Sequence, residues 1–247
     1  MDLKTRGLVL REVNYKESDK ILTVLTEDAG RLTVSARGAR SKRSKYTAAS
    51  QLLAFSELDL DERYGRWYLK EGRALELWDG IRQDILRLSL ATYFAELLEA
   101  VSDVDHDDPA LLHLALSALH MLSGGTRDER LIKAAFELRL MCLAGYEPNL
   151  SVCPTCAATE IERPMLSLRE GHIHCTHHRP DKGGTSMTLD PGSLQALRHI
   201  VSAPESRVFS FTLGEEGMTH LGLAAESYVL AQLERGFRTL DFLKKFG

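Results

Sequence analysis

No stretch of this 247-residue chain holds a run of about eighteen apolar residues, the length a membrane-crossing helix needs. Met1-Asp2-Leu3-Lys4 opens without an apolar signal core. The expectation is a cytoplasmic protein in a reducing compartment, with no membrane partner. Cysteines number four, three of them clustered, which does not make a disulfide framework. Walker A loops, dinucleotide-binding glycine patterns and Gly-x-Ser-x-Gly elbows are missing, as are internal repeats and low-complexity tracts. The common nucleotide-driven and hydrolase classes fall away with those motifs.

The three clustered cysteines do form a pattern. Cys153-Pro154-Thr155-Cys156 is followed by eighteen residues and then Cys175-Thr176-His177-His178. Two short knuckles on a connector of this length suit a tetrahedral zinc ion, with Cys153, Cys156, Cys175 and His178 as a structural ligand set. His178 keeps the two-residue gap of the first knuckle, and His177 is its rival. His172 and His174 are further imidazoles on the connector. A lone Cys-x-x-Cys would also fit a redox dithiol; the second knuckle favours metal. A catalytic zinc keeps a position open for water, whereas four donors are in reach here. The zinc deaminase pattern needs a His-x-Glu and a Pro before Cys-x-x-Cys; no His-x-Glu lies upstream, and Val152 precedes Cys153. Cys142 stands apart, on the apolar stripe of a helix, as a core residue.

The net charge of −4 is unevenly placed. Residues 1–46 carry eleven Lys or Arg against six Asp or Glu, a net of +5, and the rest carries 20 against 29, a net of −9. A basic head on an acidic body points to a polyanionic partner at one end.

That head reads as strands. Leu8, Val9 and Leu10 lie in a first strand, about Thr5 to Val13, and a second runs from about Lys20 to Thr26. Asp28-Ala29-Gly30 turns the chain. Leu32, Val34 and Ala36 then alternate with polar residues, and Leu58 and Leu60 do so in a fourth strand. Tyr64-Gly65-Arg66 turns into a fifth segment, Trp67 to about Leu77. Five strands with a long third connection fit a small closed barrel of the OB type; an SH3-like barrel fits the pattern almost as well.

The long connection holds Arg37, Arg40, Lys42, Arg43 and Lys45 with no acid. Glycine and serine leave its backbone mobile, and such spaced cations can follow a phosphate backbone. Arg6, Arg11 and Lys20 add charge from the strands, with Lys4 and Arg31. A solvated charged loop is the other reading. Tyr15, Tyr46 and Phe55 can serve either as base-stacking surfaces or as barrel packing.

From about Gly80 the period becomes helical. Leu86, Leu90, Phe94, Leu97 and Val101 share a face that Ile81, Ile85 and Leu88 widen. Ser102–Asp108 is an acidic linker before Pro109; His106 among its aspartates could suggest a metal site, but a capping loop is the better reading. Further helices follow at Leu111–Leu122, from a Thr126 or Asp128 cap through Leu131, Ala135 and Leu138, and from Asp190-Pro191 through Leu197. Arg207–Leu213 is an extended link. Glu215–Lys245 is helical, with Gly236 able to break it. The fold class is thus α+β and multidomain: an OB-fold β-barrel over 1–80, then an α-helical domain over 81–247 with a zinc-knuckle segment at 149–180.

Several stretches resemble one family. They are Gly7-Leu8-Val9-Leu10, Tyr15-Lys16-Glu17-Ser18-Asp19-Lys20, Leu25-Thr26-Glu27-Asp28-Ala29-Gly30, Ala36-Arg37-Gly38-Ala39-Arg40 with its basic continuation, and Arg238-Thr239-Leu240-Asp241-Phe242-Leu243. In order and spacing they resemble the bacterial recombination mediator RecO family over nearly the whole chain. The resemblance implies binding of single- and double-stranded DNA, annealing of complementary strands, and, with RecR, loading of RecA onto DNA coated by single-strand-binding protein, whose C-terminal tail would dock on the helical domain. It implies a nucleoid-associated protein that makes and breaks no bond in DNA. The family's second knuckle is Cys-x-x-Cys; this chain has His178 at its last position. A zinc-stabilised protein-interaction module without DNA binding is the alternative, and a zinc-dependent hydrolase or nuclease is another.

Overall fold

The computed structural model describes residues 1–104, 108–161, 163–178 and 185–245. His106 and its neighbours Asp105 and Asp107 lie outside the described residues, as do 179 and 180 at the end of the knuckle segment. The chain divides into two compact units, one of residues 1–125 with 237–247 and one of residues 126–236.

The first unit begins with five strands: β1 (Asp2–Tyr15), β2 (Asp19–Thr26), β3 (Arg31–Ala36), β4 (Phe55–Arg63) and β5 (Arg66–Glu76). They close in the order β1-β2-β3-β5-β4. All pairs are antiparallel except β3 with β5, where Val34 lies beside Trp67 and Ser35 beside Tyr68 in parallel. Closing the circle through one parallel pair settles the choice between small barrels in favour of the OB-fold. The period-2 alternation works as the sequence suggests: Leu32, Val34 and Ala36 point inward against Leu22, Val24, Leu58 and Leu60, while Thr33 stays exposed. β1 runs longer than its apolar stretch, because register shifts between Val9 and Arg11 let it bend and pair with both β2 and β4.

The barrel is followed by α1 (Asp79–Arg82), α2 (Ile85–Val101) and α3 (Pro109–Gly124). The expected single helix from Gly80 is broken at Gln83-Asp84. Asp84 accepts hydrogen bonds from the amides of Leu86 and Arg87 and so starts α2 afresh. This turns Ile85, read as part of the buried face, outward, and it is 59% exposed. Gly80 has no room for a side chain, since a Cβ there would lie 2.1 Å from the Ser123 carbonyl oxygen. The linker after α2 is tied to the barrel: Arg31 donates from its amide to Asp103 and from Nε to the Ser102 carbonyl. The chain's end returns here as α7 (Arg238–Leu243), with Phe237 edge-on to Tyr93 at 6.0 Å and the Thr239 amide donating to Glu96.

The second unit holds α4 (Glu129–Leu143), α5 (Pro191–Ser202) and α6 (Glu215–Gln232), with β6 (Met165–Ser167), β7 (Ile173–His174) and β8 (Ser186–Thr188) forming a small sheet in the order β7-β6-β8. Asp128 caps α4 and Asp190 caps α5. Residues 208–214 form no strand, and α6 ends four residues before Gly236. Between α4 and α6, the part-buried Lys133 bridges Glu137 at 2.8 Å and Glu226 at 2.9 Å. Burial pulls its ammonium down, but the two carboxylates outweigh that and raise it. Buried ions persist only with such partners.

The α5 cap carries a measurable consequence. Burial pushes the Asp190 carboxyl up, but the Ser193 hydroxyl, the Ser193 and Gly192 amides and His220 reverse this and bring it down to about 2. Asp190→Ala is expected to lower unfolding free energy by about 1 kcal/mol in a denaturant titration. A carboxyl depressed in the folded state stabilises above its unfolded pKa and loses that contribution as pH falls through its folded value. The deficit of the variant should therefore be full near neutral pH and shrink between about pH 4 and pH 2.

Candidate functional site

Two groups of side chains stand out, one in each unit. On the barrel, residues 37–46 leave β3 and fold into consecutive turns, so the segment is less free than its glycine and serines suggest. Gly38 takes φ 67°, and its amide donates to Asp19 Oδ1 at 2.8 Å. The Arg40 amide donates to the Ser18 carbonyl at 2.9 Å, and the Tyr46 hydroxyl donates to the Arg37 carbonyl. The loop is thereby fastened to the β1–β2 turn, and its basic side chains project from a fixed base.

The eight basic residues named from the sequence divide by partner. Arg6 is bidentate to Glu27 at 2.8 Å, Arg11 meets Glu99 at 3.0 Å, and Lys20 pairs with Glu12. Arg31, as described, holds a linker, and Lys4 lies 3.9 Å from Asp59. Arg37, Arg40, Lys42, Arg43 and Lys45 are all exposed, and none is ion-paired among the described residues. Five cations on one short loop without carboxylates make a concentrated positive surface, where polyanion binding displaces counterions rather than breaking ion pairs.

The aromatic readings also divide. Tyr15 is 48% exposed, beside Lys16 at the β1–β2 turn. Tyr46 packs partly on the barrel core, and Phe55 is half-buried. Sequence reasoning missed Tyr68, whose ring carries the Arg37 guanidinium 4.7 Å from its centre, and Tyr64, which is fully exposed. The Tyr64-Gly65 turn was legible, but the ring's exposure was not.

In the second unit, Asn149 pairs with the chain at Gly171 and Ile173, and the β6–β7 hairpin brings Cys175 back to Cys153. Each knuckle is a tight turn: the Ala157 amide donates to the Cys153 carbonyl at 2.9 Å, and the His178 amide to the Cys175 carbonyl at 3.1 Å. Cys153, Cys156, Cys175 and His178 offer ligand atoms that all lie within 4.8 Å of one another. The Sγ atoms of Cys156 and Cys175 are 3.8 Å apart, and Cys175 Sγ is 3.1 Å from His178 Nδ1. A tetrahedral ion with metal–sulfur bonds of about 2.3 Å needs sulfurs about 3.8 Å apart, so this group can hold a metal ion. Burial pushes the Cys153 thiol up, but the amides of Cys175, Thr155 and Cys156 bring it down to about 6, toward the thiolate a metal requires. His177 is exposed and outside the group. His174 instead places Nε2 3.2 Å from Glu170. Cys142 lies elsewhere, its thiol pushed up to about 12 by burial.

The N-terminal part, residues 1–77, matches the family model "Recombination protein O N terminal", and residues 82–241 match "Recombination protein O C terminal". The chain belongs to the RecO family. It is 35% identical over 246 residues to the DNA repair protein RecO of Acetivibrio thermocellus, covering 98% of this chain and 96% of the relative. The RecO protein of Symbiobacterium thermophilum is 28% identical over 96% of this chain and 94% of its own. That of Exiguobacterium sibiricum is 35% identical over 75% and 74%. RecO membership supports a role in DNA repair and recombination. Among the described residues, no helix is long and apolar enough to cross a membrane.

The ligand geometry makes a prediction that separates adjacent histidines. Metal content after gel filtration is expected to fall sharply in Cys175→Ser and His178→Ala and to stay unchanged in His177→Ala. Chelation should lower the melting temperature of the wild type, because metal binding to the folded state contributes directly to stability.

Proposed function

We propose that this RecO protein is a non-enzymatic recombination mediator that binds single- and double-stranded DNA through the barrel loop and anneals complementary strands. The observation that carries this reading is the separation of cations. Arg6, Arg11 and Lys20 on the strands are paired with carboxylates, whereas Arg37, Arg40, Lys42, Arg43 and Lys45 stand exposed without them among the described residues. Phosphates replace water and counterions at these five at little cost, and Arg6, Arg11 and Lys20 contribute more weakly at the margin. Neutralising two strands at once lowers their repulsion. Base pairing then supplies sequence identity, so the protein needs no base-specific contacts.

In this reading residues 1–80 act as the DNA-binding domain and 81–247 as the protein-docking domain, in the cytoplasm at the nucleoid. RecR and the C-terminal tail of single-strand-binding protein are its partners, and the outcome is RecA loading. The metal at Cys153, Cys156, Cys175 and His178 is a structural Zn2+. Three thiolates and one imidazole in tetrahedral spacing suit zinc, and four protein donors leave no position for a reacting water. Its part is to fix the segment 149–180, with no step of strand annealing passing through it.

The test is annealing of two complementary, protein-free oligonucleotides over a salt series. The wild type is expected to accelerate annealing, with the effect fading as salt rises. The Arg40→Ala/Lys42→Ala/Arg43→Ala variant should bind single strands several-fold more weakly and lose about 2 from its log–log salt slope, at about 0.7 per phosphate contact. An unchanged slope sinks the loop assignment. Absence of any DNA binding by the folded, metal-loaded protein favours the protein-interaction module.

A further inference from the structure

The turn joining β4 to β5 has only two residues, Tyr64 and Gly65, between the paired Arg63 and Arg66. Both take positive φ, 53° and 70°. Two-residue turns with both residues at positive φ call for Asn-Gly, Asp-Gly or Gly-Gly, because most other side chains disfavour the left-handed conformation. A bulky residue at positive φ is an outlier. Tyr64 gains nothing in packing for this strain, since its exposure is 104% of the reference value. A strained, wholly exposed ring at a hairpin tip is explained by what it meets outside the chain.

Its surroundings indicate the ligand. Tyr64 lines a cavity of about 340 Å³ with Tyr68, Arg37, Asp61, Arg63 and Lys70. The parallel pairing with Ser35 fixes Tyr68, and Tyr68 in turn carries the Arg37 guanidinium over its face. Asp61 pairs with Arg63, and Lys70 with Asp2 and Asp59, which leaves Arg37 as the cation of the cavity free of a carboxylate among the described residues. The cavity thus offers one free aromatic face, one guanidinium plane held by a second ring, and a positive charge for a neighbouring phosphate. Nucleobases with an exposed face stack on aromatic rings and on guanidinium planes.

We propose that this cavity is a stacking site for an unpaired nucleobase, with Tyr64 as the stacking ring and Arg37 on Tyr68 as the platform beside it. The inference rests on the DNA-binding reading and extends it. The basic loop serves single and double strands alike, while the cavity gives preference to single strands, because a base inside a duplex has both faces covered.

The test uses the full-length, metal-loaded protein with an oligothymidylate, an abasic oligonucleotide of equal length and a duplex, followed by fluorescence anisotropy at fixed salt. Tyr64→Asn removes the ring yet supplies the residue this turn prefers, so it should melt no lower than the wild type. It is expected to bind oligothymidylate about tenfold more weakly while staying within about twofold of the wild type on the abasic strand and the duplex. Tyr64→Phe should match the wild type throughout. Unchanged oligothymidylate binding, or equal weakening on all three ligands, overturns the stacking site. In that case wild-type binding that is lost in the Arg40/Lys42/Arg43 alanine variant would leave the loop reading standing. A wild type that binds none of the three overturns both.

Discussion

Closure of the barrel between β3 and β5 is the constraint from which the exposed chemistry follows. That junction pairs two strands in parallel, so no hairpin can join them, and the chain must leave β3 by a long route before entering β4. The route begins at Arg37. The same pairing sets Tyr68 beside Ser35, directly behind the exit, and Arg37 comes to rest on its ring. The basic loop therefore leaves from a fixed point, with Asp19 receiving the Gly38 amide and Ser18 the Arg40 amide. A mobile tether would spread its charges through solvent; this loop concentrates them above one end of the barrel.

The electrostatics of the barrel follow from where carboxylates are withheld. Arg63 and Arg73 each have an acidic partner on the same or a neighbouring strand, as Lys70 does in Asp59, and Arg6 has Glu27 in the turn after β2. Such exposed pairs add little stability. They do screen those strand cations and leave the five of the loop as a dense uncompensated group. The net acidity of the chain is therefore no obstacle to a polyanion, because beyond roughly a Debye length of about 8 Å at physiological ionic strength the rest of the surface is screened.

Much of this was legible in the sequence because it depends on local rules. Alternation marked β3 and β4, Asp190-Pro191 marked the start of α5, and the two knuckles marked a metal group by spacing alone. What escaped depends on contacts between distant residues. The break at Asp84 was hidden inside a continuous apolar period, and only the capping geometry of its side chain ends α1 and begins α2. The ion pairs of Arg6, Arg11 and Lys20 join residues at least eight apart, and their partners become visible only once strand register is known. Tyr64 illustrates a further limit. Its turn could be read from the following glycine, but its ring carries no local sign of being exposed or of sharing a cavity with Arg37.

The metal group obeys a different logic from the barrel. The second unit has a helical core around α4, α5 and α6, but residues 149–178 contribute only short strands of two and three residues. Strands this short supply too few hydrogen bonds to offset the backbone entropy of ordering a segment of this length. The structure makes up the difference by tying the segment from the helices: Arg198 donates to the Leu150 carbonyl, and Gln232 to the Leu168 and Arg169 carbonyls. Between those ties, four ligand atoms converge on one point. A bound ion would act there as a cross-link, joining two turns nineteen residues apart at Cys156 and Cys175. His178 supplies the fourth donor, its Nδ1 lying 3.1 Å from Cys175 Sγ, so that cross-link would join three sulfurs and one imidazole.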